Sequence, residues 1–281
     1  MMRRMTMVAA AAATVWVCGI AMESAGRLAE AADAVAVPIE DSASYFPDEV
    51  GNRWSYRGEV TEGPLQTIDR KLFVNESSVL RAETKDHVKV KVFHDSNGGN
   101  HGPSTSYYRR DAAGVVYYGS DPGTPLEKQL TPYQIVQFPL RIGSSFEQFN
   151  RTELDFGSDM DQDGVNEKVD VTGSVSVLGE EPVTVPAGTY DHAVRIEARM
   201  TMRILLSDSR KVAVGTDVMT AWFAKGVGLV KYFERQELPP FRSDRGISTE
   251  ISEELVDVRL KHPKHQSSGV EPSARHDRRA S

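Results

Sequence analysis

The chain contains the stretch His87-Val88-Lys89-Val90-Lys91-Val92-Phe93, in which valines and lysines alternate. Successive side chains of a β-strand point to opposite faces, so this pattern places the valines on one face and the lysines on the other. A strand with one apolar and one charged face lies between a hydrophobic core and water. The stretch therefore predicts a half-buried β-strand.

The same period of two recurs along the chain, as in Val169-Asp170-Val171-Thr172-Gly173-Ser174-Val175-Ser176-Val177. Turn signals rich in Gly, Asn, Asp and Pro separate such stretches at 96–99, 111–114, 121–123 and 186–188. Residues 126–136 are expected to form a short helix or an irregular crossing, and 248–254 a turn of helix. Crossover helices of a parallel sheet are absent from the pattern. The sequence therefore predicts an all-β fold, with one curved antiparallel sheet, an open half-barrel or a sandwich, and few short helices.

Length and composition are those of a soluble globular protein, with 281 residues of which 40% are hydrophobic and 26% charged. The formal net charge of −7 opposes binding to nucleic acid, because Lys and Arg must neutralise the backbone phosphates. We expect a single β-rich domain over residues 35–260. Residues 261–281 are basic and nearly free of apolar side chains, which predicts a disordered tail.

Residues 1–34 have the form of a secretory signal peptide and a linker. Arg3 and Arg4 precede an apolar run from Met7 to Met22, and small residues follow this run. The run is shorter than the ~20 residues that a spanning helix needs. We therefore expect a protein exported to the periplasm or cell envelope, and we do not expect an integral membrane protein.

Two fates of this N-terminal segment stay open. Cleavage would use the small residues of Ala29-Glu30-Ala31 or Ala32-Asp33-Ala34. Lipidation would use Cys18, the only cysteine, which lies where a lipoprotein signal places its acylated residue. Val17 precedes it, however, in place of the usual Gly, Ala or Ser. Lipidation of Cys18 would anchor the protein to the outer membrane, and in either case the mature domain has no disulfide.

A segment near the start of the domain is echoed later in the chain. The two copies are Phe46-Pro47-Asp48-Glu49-Val50-Gly51-Asn52-Arg53-Trp54 and Phe138-Pro139-Leu140-Arg141-Ile142-Gly143-Ser144-Ser145-Phe146. Each has Phe-Pro, then a glycine turn, then an aromatic residue that can anchor a new strand in the core. Convergent turn chemistry is the simpler interpretation, and internal duplication is the alternative.

Three phrases carry a resemblance to other proteins. They are the segment 45–56 that opens with Tyr45-Phe46-Pro47, the turn Val185-Pro186-Ala187-Gly188-Thr189-Tyr190, and the segment 222–231 that contains Gly226-Val227-Gly228-Leu229-Val230-Lys231. In this order they resemble a loose group of bacterial secreted proteins and lipoproteins of unknown function. The resemblance implies a curved sheet similar to periplasmic half-barrels that shuttle or shelter lipids. It supplies no catalytic residues.

The most acidic segment is a candidate calcium loop at residues 159–170. Calcium takes six to eight oxygen ligands, and acids at alternate positions before a glycine are typical of loops that bind it. Counted as in an EF-hand, the ligands are the side chains of Asp159, Asp161, Asp163 and Asp170 and the carbonyl of Val165. The twelfth residue is Asp where Glu is usual, and a strand follows in place of a helix. The hypothesis is therefore a calcium loop between strands, with an affinity of ~10⁻⁴ to 10⁻³ M; a solvated acidic hairpin tip is the alternative.

Other candidate sites are weaker. His94 and His101 flank a Gly-Asn-rich loop, but a zinc site needs three or four ligands. His192 lies in a predicted strand, and no nucleophile elbow, P-loop or dinucleotide fingerprint is present. The pairs Tyr107-Tyr108 and Tyr117-Tyr118 are explained more simply by cross-strand packing than by a ligand groove.

Together these patterns predict a non-enzymatic cell-envelope protein that binds an apolar or amphipathic ligand, or a partner protein, and that carries a structural calcium loop. A calcium-rigidified structural or adhesion module is the alternative, and a hydrolase with a dispersed carboxylate pair is a lesser one. A concave sheet face lined by apolar side chains would favour the binder. A filled core with a flat exposed face would favour the interaction module, and two buried carboxyls facing each other across a cleft would favour the hydrolase.

Overall fold

The computed structural model describes residues 36–63, 69–98, 102–239 and 246–261. The expected signal segment with Cys18, the loop residue His101 and residues 262–281 of the expected tail lie outside this part of the chain. Within the described part, no helix is both long enough and apolar enough to cross a bilayer.

The structure is built almost entirely from β-strands. The strands up to the middle of the chain are β1 (Val37–Pro38), β2 (Arg53–Gly63), β3 (Asp69–Lys85), β4 (Val88–Asp95), β5 (Ser104–Asp111), β6 (Gly114–Asp121) and β7 (Tyr133–Gln137). The remaining strands are β8 (Arg141–Ile142), β9 (Ser145–Asp155), β10 (Lys168–Val185), β11 (Gly188–Leu205), β12 (Val212–Ala224), β13 (Gly228–Leu238) and β14 (Ile247–Arg259). A 3₁₀ turn covers Ser42–Tyr45, and helix α1 covers Pro125–Leu130.

Twelve strands form one antiparallel sheet that is nearly closed into a barrel, and β1 pairs with β8 in a separate small sheet. The order in the large sheet is β7-β6-β5-β4-β3-β2-β14-β13-β12-β11-β10-β9. Strands β2 to β7 and β9 to β14 are thus two consecutive meanders, which join through the ladder between β2 and β14. The all-β prediction with a curved antiparallel sheet is confirmed.

The alternating stretches form strands with buried valines. Val90 and Val92 of β4 are buried, as are Val169, Val171 and Val175 of β10. Burying a valine contributes roughly 1.5–3 kcal/mol, and a register shift by one residue would expose the whole set. This apolar face therefore fixes the register of each strand.

The two expected helical segments have different outcomes. Helix α1 forms only in the first part of 126–136, where Pro125 begins it and Thr124 makes a capping box with Glu127, and residues 133–136 belong to β7. The expected turn of helix at 248–254 is wrong, because these residues belong to β14. That strand pairs with β13 on one side and β2 on the other, and two ladders outweigh a weak local preference.

The two Phe-Pro segments make the same backbone hydrogen bonds in their respective meanders. In each, the glycine donates its N–H to the carbonyl of a valine in the second strand after the turn, β3 or β10. The N–H of this valine donates back to the carbonyl of the residue after the glycine. The first set is Gly51, Val79 and Asn52, at 2.8 and 3.0 Å, and the second is Gly143, Val177 and Ser144, at 2.8 and 2.9 Å. These bonds extend the ladders β2–β3 and β9–β10 by one residue pair, so the two segments begin their meanders in the same way.

Edge strands β7 and β9 meet at a seam, and no backbone ladder joins them within the described residues. Side chains bridge this seam. The amide of Gln148 on β9 donates to the carbonyl of Gln134 on β7 at 3.0 Å. Gln129 of α1 exchanges two hydrogen bonds with the backbone of Asp155, at 2.7 and 2.9 Å. The barrel is therefore closed here by side-chain contacts.

Candidate functional site

The concave face of the curled sheet encloses a cavity of about 330 Å³. Its walls come from β2 to β7, from β12 to β14 and from the segment before β2. The lining residues occur at alternate positions, such as Trp54 and Tyr56 on β2 or Phe93 and Asp95 on β4, because only every second side chain faces inward. The pattern that predicts the strands therefore also selects the lining of the cavity.

A continuous row of aromatic rings crosses the sheet, and we call it the aromatic ladder. Its members are Trp54, Phe93, Tyr108, Tyr117, Tyr133 and Phe149, and neighbouring ring centroids lie 5.2 to 6.4 Å apart. All except Phe149 line the cavity. Such offset and edge-to-face contacts make a stiff apolar wall. The last contact, from Tyr133 to Phe149, crosses the seam between β7 and β9.

Cross-strand packing of Tyr108 and Tyr117 agrees with the interpretation drawn from the sequence. The same two rings also line the cavity, although the sequence favoured cross-strand packing over a ligand groove. The two roles are compatible, because an inward-facing ring can pack against its neighbour on one side and still expose an edge to the cavity.

Helix α1 anchors the ladder through one buried carboxylate. Tyr117 donates its hydroxyl to Glu127 Oε1 at 2.6 Å, and the backbone N–H of Ser120 donates to the same oxygen at 2.6 Å. The Ser120 hydroxyl donates to Oε2 at 3.0 Å. Burial raises the pKa of Tyr117, so its hydroxyl stays protonated and remains a donor.

Another part of the cavity lining carries three carboxyl groups, Asp95, Glu234 and Glu253, which we call the acidic wall. Asn75 donates its amide to Glu253 at 3.1 Å, and Tyr232 donates its hydroxyl to Glu234. Burial raises the pKa of Glu253 to about 7, and the charges of Asp95 and Glu234 add to this effect. Burial also raises the pKa of Asp95. The acidic wall is therefore poorly solvated and electrostatically crowded.

Positive charge is scarce around the cavity. Among the lining residues that the structure describes, Arg110 is the only cationic side chain. It is already engaged, because it forms an ion pair with Asp48 and donates to the carbonyl of Ala43 at 3.0 Å. The described lining therefore carries more acidic than basic side chains, and the cavity favours a guest that brings hydrogen-bond donors or positive charge.

The three phrases that carry the family resemblance pack in one place. Trp54 Nε1 donates to the carbonyl of Val227 at 2.7 Å, and the Tyr56 hydroxyl donates to the carbonyl of Leu229 at 3.1 Å. Ala187, from the middle phrase, packs against the same hydrophobic cluster. Tyr56 reaches past β14 to β13 and Trp54 reaches the turn just before β13, so these phrases hold neighbouring strands together and shape one wall of the cavity.

The candidate calcium loop connects β9 with β10. The structure brings Asp159 and Asp161 together with Glu167, and one oxygen of each lies within 4.8 Å of the others. Glu167 is the ninth residue counted from Asp159, a position that often binds calcium through a water molecule in an EF-hand, and the sequence analysis did not include it. The backbone N–H of Asp208 holds the pKa of Asp161 below its ordinary value, and burial raises the pKa of Glu167.

The other expected ligands lie outside this group of three. Asp163 accepts from the N–H of Val165 at 2.9 Å and from the hydroxyl of Ser207 at 2.8 Å, and Val165 is exposed. Asp170 lies in β10 and accepts from the N–H of Glu153 at 3.0 Å. Of the five ligands expected from the sequence, the structure therefore places two in this group, Asp159 and Asp161.

The described histidines do not join a metal-ligand group. His94 lies in β4 and pairs with Ser78 and Thr105 in the backbone ladders. The His192 side chain is 81% exposed and lies 3.6 Å from Glu180. Within the described part of the chain, the one group of three such ligands is that of Asp159, Asp161 and Glu167.

A scan of protein-family models gives no match to this chain, and a search of the curated proteins gives none either. Similar solved structures include a candidate lipoprotein from Parabacteroides distasonis, with 15% identity and a TM-score of 0.34 over 76% of this chain and 98% of the other. A candidate exported protein with a YmcC-like fold from Bacteroides fragilis has 13% identity and a TM-score of 0.33, over 76% and 98%. A DUF1329 family protein from Desulfovibrio piger has 12% identity and a TM-score of 0.22, over 80% and 89%. TM-scores below 0.5 do not establish a shared fold, so a functional proposal must depend on the residues of this chain.

Proposed function

We propose that this chain is a non-enzymatic protein of the cell envelope that binds a small amphipathic ligand in the cavity of its curled sheet. The observation that carries this proposal is the presence of the aromatic ladder and the acidic wall in one cavity. Small-molecule sites are typically concave and mostly apolar, with a few polar groups that orient the ligand. The envelope location is inferred from the signal-like form of residues 1–34.

The aromatic ladder is suited to an apolar chain. Its rings are already in contact with one another, so they lose little freedom when a guest binds. Each methylene group that leaves water contributes about 0.8 kcal/mol. The volume of about 330 Å³ lies at the lower end of the range of about 300–1,000 Å³ that is typical of small-molecule sites. The apolar part of the ligand is therefore short.

The acidic wall is suited to a head group that donates hydrogen bonds or carries positive charge. Buried carboxyls that crowd one another are stabilised by a nearby cation and destabilised by another anion. With a pKa of about 7, Glu253 is partly ionised at neutral pH and mostly ionised in slightly alkaline solution, where it can pair with an ammonium group. We therefore propose an amphipathic amine as the ligand class, with a fatty acid as the disfavoured one.

The concave cavity bears on the choice between a binder and an interaction module. An interaction module would have a filled core and would present a flat exposed face. In this chain the inner face of the sheet is only partly filled, and its lining is mostly apolar. This arrangement supports the binder.

A hydrolase is a second candidate because Asp95 and Glu253 line the same cavity and the charge of Asp95 raises the pKa of Glu253. Pairs of carboxyls with separated pKa values are used in glycoside hydrolysis. The mature protein should be assayed with chromogenic glycosides and esters. The non-enzymatic proposal expects no turnover. Turnover that disappears in Glu253→Gln would contradict it.

The binding proposal is tested by displacing the neutral fluorescent probe N-phenyl-1-naphthylamine with dodecylamine, dodecanol and dodecanoate. The expected order of affinity at neutral to slightly alkaline pH is amine, then alcohol, then carboxylate. Glu253→Gln should reduce the preference for amine over alcohol and leave alcohol binding nearly unchanged. Glu250→Gln is the matched control, because Glu250 lies on the same strand with its side chain 41% exposed. Failure of the probe and of all three compounds to bind would contradict the proposal.

Native mass spectrometry of protein purified from its own envelope provides an independent test. A retained small molecule with an amine and an apolar chain would support the proposed ligand class. A retained fatty acid or phospholipid would support binding but contradict the proposed head group.

A further inference from the structure

The loop between β9 and β10 gathers three carboxylates around one point. Asp161 is 1% exposed and Glu167 is 0% exposed, while Asp159 is partly buried. One oxygen of each lies within 4.8 Å of the others. Two oxygens that share a calcium ion, each at about 2.4 Å, can be at most about 4.8 Å apart. The three oxygens therefore meet the pairwise spacing that ligands of one shared calcium ion require.

Backbone donors hold two of these carboxylates in place. Glu167 accepts from the N–H groups of Met160 and Asp161 at 2.7 and 3.2 Å, and Asp159 accepts from those of Asp163 and Gly164 at 3.1 and 2.9 Å. A carboxylate oxygen has two lone pairs, so one N–H bond leaves each of these oxygens able to bind a cation. The loop thus fixes the positions of the carboxylates without using up their capacity as ligands.

Asp161 supplies the decisive observation. Its Oδ2 accepts from the N–H of Asp208 at 3.0 Å. Its Oδ1 is fully buried and has no hydrogen-bond partner among the residues that the structure describes. Leaving a buried carboxylate oxygen without a partner is costly, and native proteins nearly always satisfy such atoms. An atom in this position indicates a ligand that the protein chain itself does not supply.

The ion pairs of the described residues leave this cluster without a cationic partner. None of the ion pairs among the described residues includes Asp159, Asp161 or Glu167. Carboxylates held side by side in a poorly solvated place repel one another unless a cation lies between them. The donors are all oxygens, which suits a hard cation and excludes the nitrogen and sulfur ligands that zinc prefers.

We infer that one calcium ion binds at this loop through Asp159, Asp161 and Glu167. Water completes its coordination on the side where Gly164 and Val165 are exposed. Few protein ligands and an open side give an affinity of about 10⁻⁴ to 10⁻³ M, as in extracellular modules. This ligand set differs from the one expected from the sequence, because it includes Glu167, the ninth residue of the loop, and leaves out Asp163, Val165 and Asp170.

The ion would also connect two loops at one end of the sheet. Asp161 uses its second oxygen to hold the turn between β11 and β12, through the N–H of Asp208. A cation on Asp161 Oδ1 therefore fixes this turn indirectly. The site does not depend on the cavity or on the proposed amphipathic ligand.

The inference is tested by calorimetric titration of the chelator-treated mature protein with CaCl₂, and with MgCl₂ for comparison. We expect one calcium ion per chain and weaker binding of magnesium, which demands stricter geometry. Asp161→Asn and Glu167→Gln should each weaken calcium binding at least about tenfold. Asp163→Asn and Asp170→Asn are matched controls, because they make the same charge change in the same segment outside the group of three. Their affinities should stay close to that of the wild type.

Thermal unfolding gives a second measurement that does not require the variants to bind. Calcium should raise the melting temperature of the wild type and leave that of Asp161→Asn unchanged, while without calcium the variant should be at least as stable because repulsion is relieved. If Asp161→Asn does not fold, the partly exposed Asp159→Asn serves in its place. The inference is wrong if about 10 mM calcium, above the expected ~10⁻⁴–10⁻³ M range, produces neither heat nor stabilisation in the wild type. It is also wrong if Asp170→Asn abolishes binding and Glu167→Gln does not.

Discussion

Asn75 on β3 donates its side-chain amide to Glu253 on β14, at 3.1 Å, across the intervening strand β2. The orientation of this amide is fixed, because Asn75 Oδ1 accepts from the backbone N–H of Asn97 at 3.0 Å and therefore must face it. Glu253 thus keeps one good donor in a place where burial opposes its charge. This contact is the part of the acidic wall that is most open to measurement.

Glu253→Gln should change how stability depends on pH. Glu253 has an ordinary pKa of 4.5 and a folded-state pKa of about 7, so between these values the folded state keeps a proton that the unfolded state has released. The free energy of unfolding therefore falls as pH rises through this window, by about 3 kcal/mol in total. The variant should lose this part of the dependence and be more stable than the wild type above pH ~7.

Urea unfolding at a series of pH values measures this effect. Glu250→Gln, on the same strand and 41% exposed, should keep the pH dependence of the wild type. Parallel curves for the wild type and Glu253→Gln would show that the carboxyl titrates at an ordinary pKa.

Glu127 and Tyr117 should be energetically coupled. Glu127→Ala leaves the buried Tyr117 hydroxyl without its acceptor and should cost about 3 kcal/mol of the free energy of unfolding. Tyr117→Phe removes the donor and should cost about 1–2 kcal/mol. The double variant should cost less than the two single effects combined, as residues in direct contact do. Urea unfolding of all four proteins completes the cycle, and strict additivity would disprove the coupling.

Gly51→Ala and Gly143→Ala should destabilise the fold by similar amounts. Both glycines have positive φ, 96° and 80°, where a Cβ atom is unfavourable by about 1–2 kcal/mol. We expect similar losses of the free energy of unfolding, measured with denaturant, because both turns make the same pair of backbone bonds, to β3 and to β10. Ser145→Ala, at an exposed neighbouring position, should have little effect. A large loss in only one of the two glycine variants would mean that the halves do not use their turns equivalently.

Gln129→Ala should loosen the seam without unfolding the sheet. The variant removes both hydrogen bonds to the Asp155 backbone and should cost about 1–2 kcal/mol. Hydrogen–deuterium exchange should rise at Asp155 and in neighbouring amides of β9, while the ladder between β10 and β11 stays protected. Gln137→Ala, at an exposed position of β7, is the control. Unchanged exchange in β9 would show that Gln129 does not hold the seam.

The strands were predictable because their signal is local. Val88, Val90 and Val92 alternate with lysines, and any sheet with one buried face imposes that pattern. The order of the strands was not predictable, because β2 pairs with β14 about 190 residues further along the chain. The error at 248–254 has the same cause, since only the long-range ladders of β14 reveal it as a strand.

The candidate site was predictable only in part. Asp159 and Asp161 were found because alternate acids before a glycine are a local pattern. Glu167 was missed, although a strand-to-strand loop must bring its ends together, and the N–H of Phe156 does donate to the Glu167 carbonyl at 2.9 Å. The acidic wall was missed because Asp95 and Glu253 come from distant strands. One local signal was available. In each strand an acid lies two positions after an inward-facing apolar residue, Asp95 after Phe93 and Glu253 after Ile251.

The seam between β7 and β9 determines how the wall of the cavity can deform. Parting these two strands breaks the side-chain bridges of Gln129 and Gln148 and the contact of Tyr133 with Phe149, while every backbone ladder stays intact. The curled sheet can therefore open along this seam while the backbone hydrogen bonds between its paired strands are kept. The cost of this opening includes three glutamine hydrogen bonds, one pair of rings and the apolar contacts of the core cluster that spans the seam.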